Sequence, residues 1–131
     1  MMTTNLELYA DPALDTYVKA ALKKKTVNLV ILDVHNLSSI ADILIICSGR
    51  SNRQVKAIAE HIRMNLKEQG IRPLNIEGQK EGQWVLMDYA HVIIHIFYEP
   101  VRTFYDLEGL WADAKRVRTE SLPANNLRTN S

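Results

Sequence analysis

Residues 42–67 read DILIICSGRSNRQVKAIAEHIRMNLK and change hydrophobic period in mid-course. The stretch 42–47 is apolar after its first residue and rich in isoleucine, the pattern of a strand buried on both faces. From Ser51 onward the apolar residues fall at Val55, Ile58, Ala59, Ile62 and Leu66, the three-and-four spacing of one helical stripe. Residues 48–51 (SGRS) make the switch. Ser51, with Gln54 three places on, is a capping box, in which each side chain satisfies a free backbone N–H near the other. Gly70 supplies a left-handed stop just past the helix end. A strand feeding directly into an amphipathic helix points to an α/β architecture.

The flanking sequence extends that reading. Asp11-Pro12 is a helix start, because aspartate accepts from free N–H groups and proline at the first helical position loses no bond. Leu14, Tyr17, Val18, Ala21 and Leu22 then keep helical spacing, and Lys23, Lys24 and Lys25 sit where a helix's negative end favours cations. Residues 28–34 (NLVILDV) read as a buried strand and 35–39 as a turn. Residues 73–77 make a weak strand, and 78–82 (GQKEG) a glycine-bounded turn. Residues 83–88 and 91–97 are two strands joined by Tyr89-Ala90, hence an antiparallel hairpin. A last helix is expected over 101–115, with Phe104, Leu107, Leu110 and Trp111 as its apolar positions. The expected fold is an α-β-β-α-β-β-β-α sandwich with a mixed sheet of about five strands. Residues 11–115 form its single domain, 1–10 are expected to be flexible and 116–131 to be a disordered polar tail.

The hairpin predicts two unlike faces. A Tyr89-Ala90 turn pairs Asp88 with His91, Leu86 with Ile93 and Trp84 with His95. Side chains alternate across a sheet, so Val85, Met87, Val92, Ile94 and Ile96 share a purely apolar face that belongs to the core. Trp84, Leu86, Asp88, His91, Ile93 and His95 share the other, where a tryptophan, an acid and two histidines mix with aliphatics. Such a face suits a protein interface with an aromatic anchor. The competing reading has the last helix cover it and makes Trp84 core.

Composition narrows the function classes. The chain has 131 residues, enough for one domain with its own core. Sixteen Lys and Arg stand against fifteen Asp and Glu, a net charge of +1, so no whole-molecule field draws it to nucleic acid or an anionic membrane. Cys47 is the one cysteine, which excludes an internal disulfide and fits a reducing compartment. The polar residues 1–9 lack the pattern of a signal peptide and no apolar run approaches the ~20 residues of a membrane span, so a cytoplasmic location is expected.

Candidate chemistry is sparse. The strand–SGRS–helix junction could cradle a phosphate, and nucleotidyltransferases open in a similar way. They also need paired carboxylates on a following strand to hold Mg²⁺, and here that strand, 74–77 (LNIE), offers Glu77 alone. An enzyme of that kind would rest on Ser48, Ser51 and Glu77. His91 and His95 would lie roughly 13 Å apart along a strand, too far to share a metal. No cofactor and no metal is expected. Arg50, Arg53, Lys56, Arg63 and Lys67 lie on or beside one helix and could touch RNA phosphates, but no stacking aromatics accompany them.

Six ordered segments nevertheless resemble a known family: 34–42 (VHNLSSIAD), 47–59 (CSGRSNRQVKAIA), 77–84 (EGQKEGQW), 85–89 (VLMDY), 92–97 (VIIHIF) and 102–111 (RTFYDLEGLW). Together they are similar to the iojap family, the ribosomal silencing factors. The resemblance implies a non-enzymatic translation repressor with a nucleotidyltransferase-like sandwich that lacks the catalytic carboxylates. It implies binding to large-subunit ribosomal protein uL14 and a steric block of subunit joining when nutrients are scarce. Combined with the mixed hairpin face, it points to Trp84, Asp88, Tyr89 and His95 as contact residues. Glu77, Tyr105, Asp106 and Glu108 would supply polar or acidic rim contacts to a basic partner. A peripheral contact with ribosomal RNA and a homodimer through a sheet edge stay open.

Overall fold

The computed structural model describes the backbone of residues 6–8 and the whole of residues 12–122. Among these, the chain runs β1 (Leu6–Leu8), α1 (Pro12–Leu22), β2 (Val27–Asp33), β3 (Ile43–Gly49), α2 (Asn52–Lys67), β4 (Asn75–Glu77), β5 (Trp84–Asp88), β6 (Val92–Tyr98), α3 (Glu99–Tyr105), α4 (Leu107–Leu110) and β7 (Lys115–Arg118). The strands form one mixed sheet in the order β1-β7-β2-β3-β6-β5-β4. β1 pairs β7 and β3 pairs β6 in parallel; the other neighbours are antiparallel. The α/β sandwich with a mixed sheet stands as expected.

All seven residues of β3 are buried, because both faces of the sheet centre are covered. On one side Ile45, Cys47, Met87, Ile94 and Ile96 meet Val18 and Ala21 of α1 and Val55, Ile58 and Ile62 of α2. On the other, Val30, Leu32, Leu44, Ile46, Ile93 and Phe97 meet Val101, Leu107, Trp111 and Ala114. Each fully buried aliphatic contributes roughly 1.5–3 kcal/mol. The capping box forms as read: Ser51 Oγ accepts from Gln54 N at 3.0 Å, and Gln54 Oε1 accepts from Arg50 N at 2.6 Å.

Four features differ from the sequence reading. The sheet has seven described strands rather than about five, because β1 and β7 extend it beyond β2. The chain past residue 115 is therefore structured as far as Leu122: β7 pairs with β2, and Leu122 is buried in the helix-side core. Residues 1–5, 9–11 and 123–131 of the expected flexible ends lie outside the described residues. The last helix is broken in two at Asp106, whose φ of +49° no α-helix tolerates. Asp106 N donates to Arg102 O and ends α3, while Asp106 Oδ1 accepts from Gly109 N and starts α4. The hairpin pairs two residues out of the expected register, with Trp84 opposite Phe97 and Leu86 opposite His95. Tyr89 N bonds Val92 O, so the turn is Ala90-His91, held by Asp88 Oδ1 accepting from Ala90 N. A shift of two preserves side-chain parity, so the two faces keep their members apart from His91, now in the turn.

The C-terminal segment is tied back to α1 through Asp15, whose carboxylate accepts from Ser121 N at 3.0 Å and Ser121 Oγ at 2.9 Å. Partial burial pushes the Asp15 carboxyl up, but the Thr119 hydroxyl, the Ser121 donors and nearby Lys19 outweigh it and hold it below the ordinary value. Its contribution to stability is therefore present above the usual carboxylate range and fades as pH falls through the depressed value. Asp15→Ala is expected to cost about 1–2 kcal/mol, with Asp15→Asn intermediate. Amide hydrogen exchange checks it: protection of the Ser121 and Leu122 amides should fall, and unchanged protection would contradict the tie.

Candidate functional site

The face opposite α1 and α2 is only partly roofed. Across strands β4, β5, β6 and β3 the register lines up Glu77, Leu86, His95 and Ile46, and one row further Asn75, Asp88, Ile93 and Leu44. Trp84 lies at the end of this face, opposite Phe97. Its indole stacks on the Phe97 ring at 4.8 Å between centroids and meets the Tyr105 ring of α3 at 5.0 Å. Phe104 packs edge-on against Tyr105 at 5.1 Å. The outer members of this aromatic chain are wet: Phe104 is 80% exposed and Tyr105 55%. Leu110, on α4, is 75% exposed.

The break at Asp106 produces this exposure. A continuous helix would carry Phe104, Leu107 and Trp111 down one stripe onto the sheet. With the turn at Asp106, Leu107 and Trp111 reach the core while Phe104 and Leu110 point to solvent. The elbow is held by Arg102, which is 9% exposed. Its Nε and Nη2 donate to the two Glu108 oxygens at 3.1 and 2.7 Å, and Nη1 donates to Ser48 Oγ at 2.9 Å. Burial pushes the Glu108 carboxyl up, but the Arg102 donors hold it below the ordinary range. α4 is thereby fastened to α3 and to the end of β3.

Trp84 Nε1 donates to His95 Nδ1 at 3.0 Å. That nitrogen must then be the acceptor of a neutral ring. Burial agrees, bringing the His95 imidazole down to about 4. Gly78, at φ +85°, lies so close to the Trp84 carbonyl that a Cβ there would overlap it, so the β4–β5 loop can hug β5 only with glycine at this point.

The eight residues picked from sequence divide. Trp84, His95 and Tyr105 come together and Glu77 and Asp88 share their sheet face, whereas the Asp106 carboxylate caps α4 and lines a cleft with Ser48, Arg102 and Arg116. Glu77 is exposed, and its Oε2 accepts from Asn75 Nδ2 at 2.7 Å. Asp88 lines a separate cleft of about 430 Å³ with Ile40, Leu74 and His91. Glu108 is engaged by Arg102 rather than free at a rim. Tyr89 does not belong. It is buried on the opposite face, edge-on to Tyr17 at 5.4 Å, where burial and the neighbouring Tyr17 push its hydroxyl up to about 12. Its odd position, just past the end of β5, matches Val85 and Met87 and carries that signal in the sequence. Phe97 and Phe104 were missed. Phe97 follows His95 by two residues, the parity of this face, whereas the exposure of Phe104 depends on the Asp106 break.

The residues of the enzyme alternative do not converge. Glu77 lies three strands from β3, on the order of 14 Å at ~4.8 Å per strand, and Ser48 Oγ is occupied by Arg102. Cys47 is fully buried, and burial pushes its thiol up to about 12, so it packs as a small apolar side chain.

The chain matches, over residues 8–131, the family model described as RsfS, ribosomal silencing factor during starvation. It belongs to this family. An RsfS of Halalkalibacterium halodurans is 40% identical over 105 residues, covering 80% of this chain and 90% of that protein. One of Bacillus subtilis is 41% identical over 91 residues, covering 70% and 77%. The chloroplastic protein Iojap of Zea mays is 31% identical over 99 residues, covering 76% of this chain and 43% of Iojap. A crystal structure of a Chromobacterium violaceum protein superposes with a TM-score of 0.73 at 36% identity, over 76% of this chain and 82% of the other. The RsfS family assignment thus agrees with sequence and with fold. It also gives the partly roofed aromatic face a setting, a ribosome-associated protein.

Two outcomes follow from this geometry. The folded chain keeps His95 neutral while the unfolded chain protonates it below its ordinary value of 6.5, so stability is full above that value and falls as pH drops toward 4. The full span is on the order of 3 kcal/mol. In denaturation curves between pH 6.5 and 4, His95→Gln should show a shallower decline than the natural chain; equal slopes would sink the neutral-acceptor assignment. Glu108→Ala strands the Arg102 charge and should cost about 2 kcal/mol. The double change Arg102→Met with Glu108→Leu should recover at least half of that in urea unfolding; no recovery would mean that the pair is not coupled.

Proposed function

We propose that this chain binds large-subunit ribosomal protein uL14 through the Trp84–Tyr105 face and sterically blocks the bridge that joins the subunits. The observation that carries this reading is the half-open aromatic chain, in which Phe104 and Tyr105 lie exposed while Trp84 behind them is fixed by stacking and by its bond to His95. An anchor already held in place loses little entropy on docking, and aromatic anchors dominate interface energies. Glu77 and Asp88, further along the same sheet face, add negative charge, which suits a basic partner. A bound body of 15.0 kDa at a subunit interface prevents joining by its bulk, with no chemistry required. The setting is the cytoplasm under nutrient limitation, where lowered translation is useful.

The test is sedimentation of the purified full chain with separated subunits, read as co-migration with the large subunit and loss of the joined peak. Phe104→Asp and Tyr105→Ala alter exposed side chains and should leave the fold intact. Each is expected to weaken binding to isolated uL14 at least tenfold, about 1.4 kcal/mol. Unchanged affinity in both variants, checked by calorimetry, would overturn the assignment.

A further inference from the structure

Residues 23–26 (KKKT) and 49–56 (GRSNRQVK) hold six cations and no carboxylate, in a chain whose net charge is only +1. The fold brings these two segments together through Lys25 and Gln54, 29 residues apart in sequence. The Gln54 side chain does it: Oε1 accepts from Arg50 N at 2.6 Å, and Nε2 donates to Lys25 O at 3.3 Å. Lys25 itself takes φ +51° to present that carbonyl. Arg53 adjoins Gln54 in the first turn of α2, a turn without an acidic residue. A helix's positive end normally favours Asp or Glu, so arginine there adds to an unfavourable field instead of relieving it.

Among the described residues, no carboxylate forms an ion pair with Lys23, Lys24, Lys25, Arg50 or Arg53. Arg63, further along α2, differs in being paired with Glu60 at 2.7 Å. The basic helix strip suggested by sequence therefore breaks at Glu60–Arg63; Lys24 borders a cleft that also holds Glu60, His61 and Glu68, and the remaining unpaired charge gathers at the start of α2 and the loop after α1. Concentrated like charge costs folding stability, which makes a counter-charged partner the physical counterpart of its retention.

We infer that Lys23–Lys25, Arg50 and Arg53 form a second contact surface that takes the phosphate backbone of RNA. RNA is chosen over other polyanions because the family is ribosomal; to that extent only, the inference rests on the family assignment. An anionic membrane fits less well, since neither segment presents an exposed large apolar side chain to insert. No aromatic ring accompanies the cations, so the surface reads charge and not base sequence. α2, which carries Arg53, covers the sheet face opposite Trp84, while Arg50 follows the β3 end that is in register with Phe97 and Tyr98.

The test uses the full chain and a fluorescein-labelled 20-nucleotide RNA hairpin of mixed sequence, followed by anisotropy. Five phosphate contacts predict an affinity loss on the order of five hundredfold between 50 and 200 mM KCl. Lys24→Glu, Arg50→Glu and Arg53→Glu combined should weaken binding at 50 mM KCl more than tenfold and lower the salt slope by about three. The triple variant should bind uL14 as the natural chain does, whereas Phe104→Asp should bind the hairpin unchanged. Hairpin affinity equal in the triple variant and the natural chain would overturn the inference, as would binding insensitive to salt. Tighter binding to vesicles of phosphatidylcholine and phosphatidylserine at 3:1 than to the hairpin would replace RNA by a membrane and overturn it too. Hairpin binding without any uL14 binding would remove the function proposed above and leave this surface standing.

Discussion

The parallel pairing of β3 with β6 is the constraint to which the rest of the structure answers. Every residue of β3 is buried, so the sheet centre needs an apolar cover on both sides. Two strands running in parallel cannot be joined by a tight turn, and each must be followed by chain that leaves the sheet. α2 leaves β3 toward one face and α3 leaves β6 toward the other. Gly49 eases the first departure: a Cβ there would lie 3.1 Å from Val55 N, so with a larger residue the start of the helix would have to move out by a few tenths of an ångström. Opposite exits at adjacent strand ends place the polar Arg102–Ser48 contact between the two layers.

The two covers are unequal, and the inequality creates the candidate site. α1 and α2 have 11 and 16 residues, about 17 and 24 Å long, and span strands of comparable length. α3 has seven residues and α4 four, about 10 and 6 Å. A cover that short leaves apolar surface at its margin. The aromatic chain from Phe97 through Trp84 and Tyr105 to Phe104 bridges that margin, dry at one end and wet at the other. Arg102 and Glu108 keep the short cover from swinging away. The helical side, fully roofed by α1 and α2, instead offers its charge to solvent around Gln54.

The elements with strong local signals were legible in the sequence: the switch from strand to helix around Ser51, the helix start at Pro12 and the two faces of the hairpin. Face membership survived a two-residue error in register because alternation has a period of two. The broken last helix was not legible, since Asp106 adopts its left-handed conformation only with Gly109 and the core contacts of Leu107 and Trp111 in place. β7 escaped notice because four residues reading KRVR have one buried side chain among charges. Of the candidate contact residues, Trp84, His95 and Tyr105 come together in the fold. Tyr89 was misplaced for want of applying to it the parity used for its neighbours.

The sequence by itself determined the α/β class and the core faces, because these depend on periodicity and on local capping, and it carried the family resemblance in motifs that stand in order along the chain. Only the tertiary structure decided which aromatic rings stay wet, which arginines are neutralised and which cations gather into one patch. Those outcomes depend on contacts between residues far apart in the chain: Trp84 with Tyr105, Arg102 with Ser48, and Gln54 with Lys25. Burial and pairing at such positions are set by the packed layers as a whole, and no local window of sequence contains them.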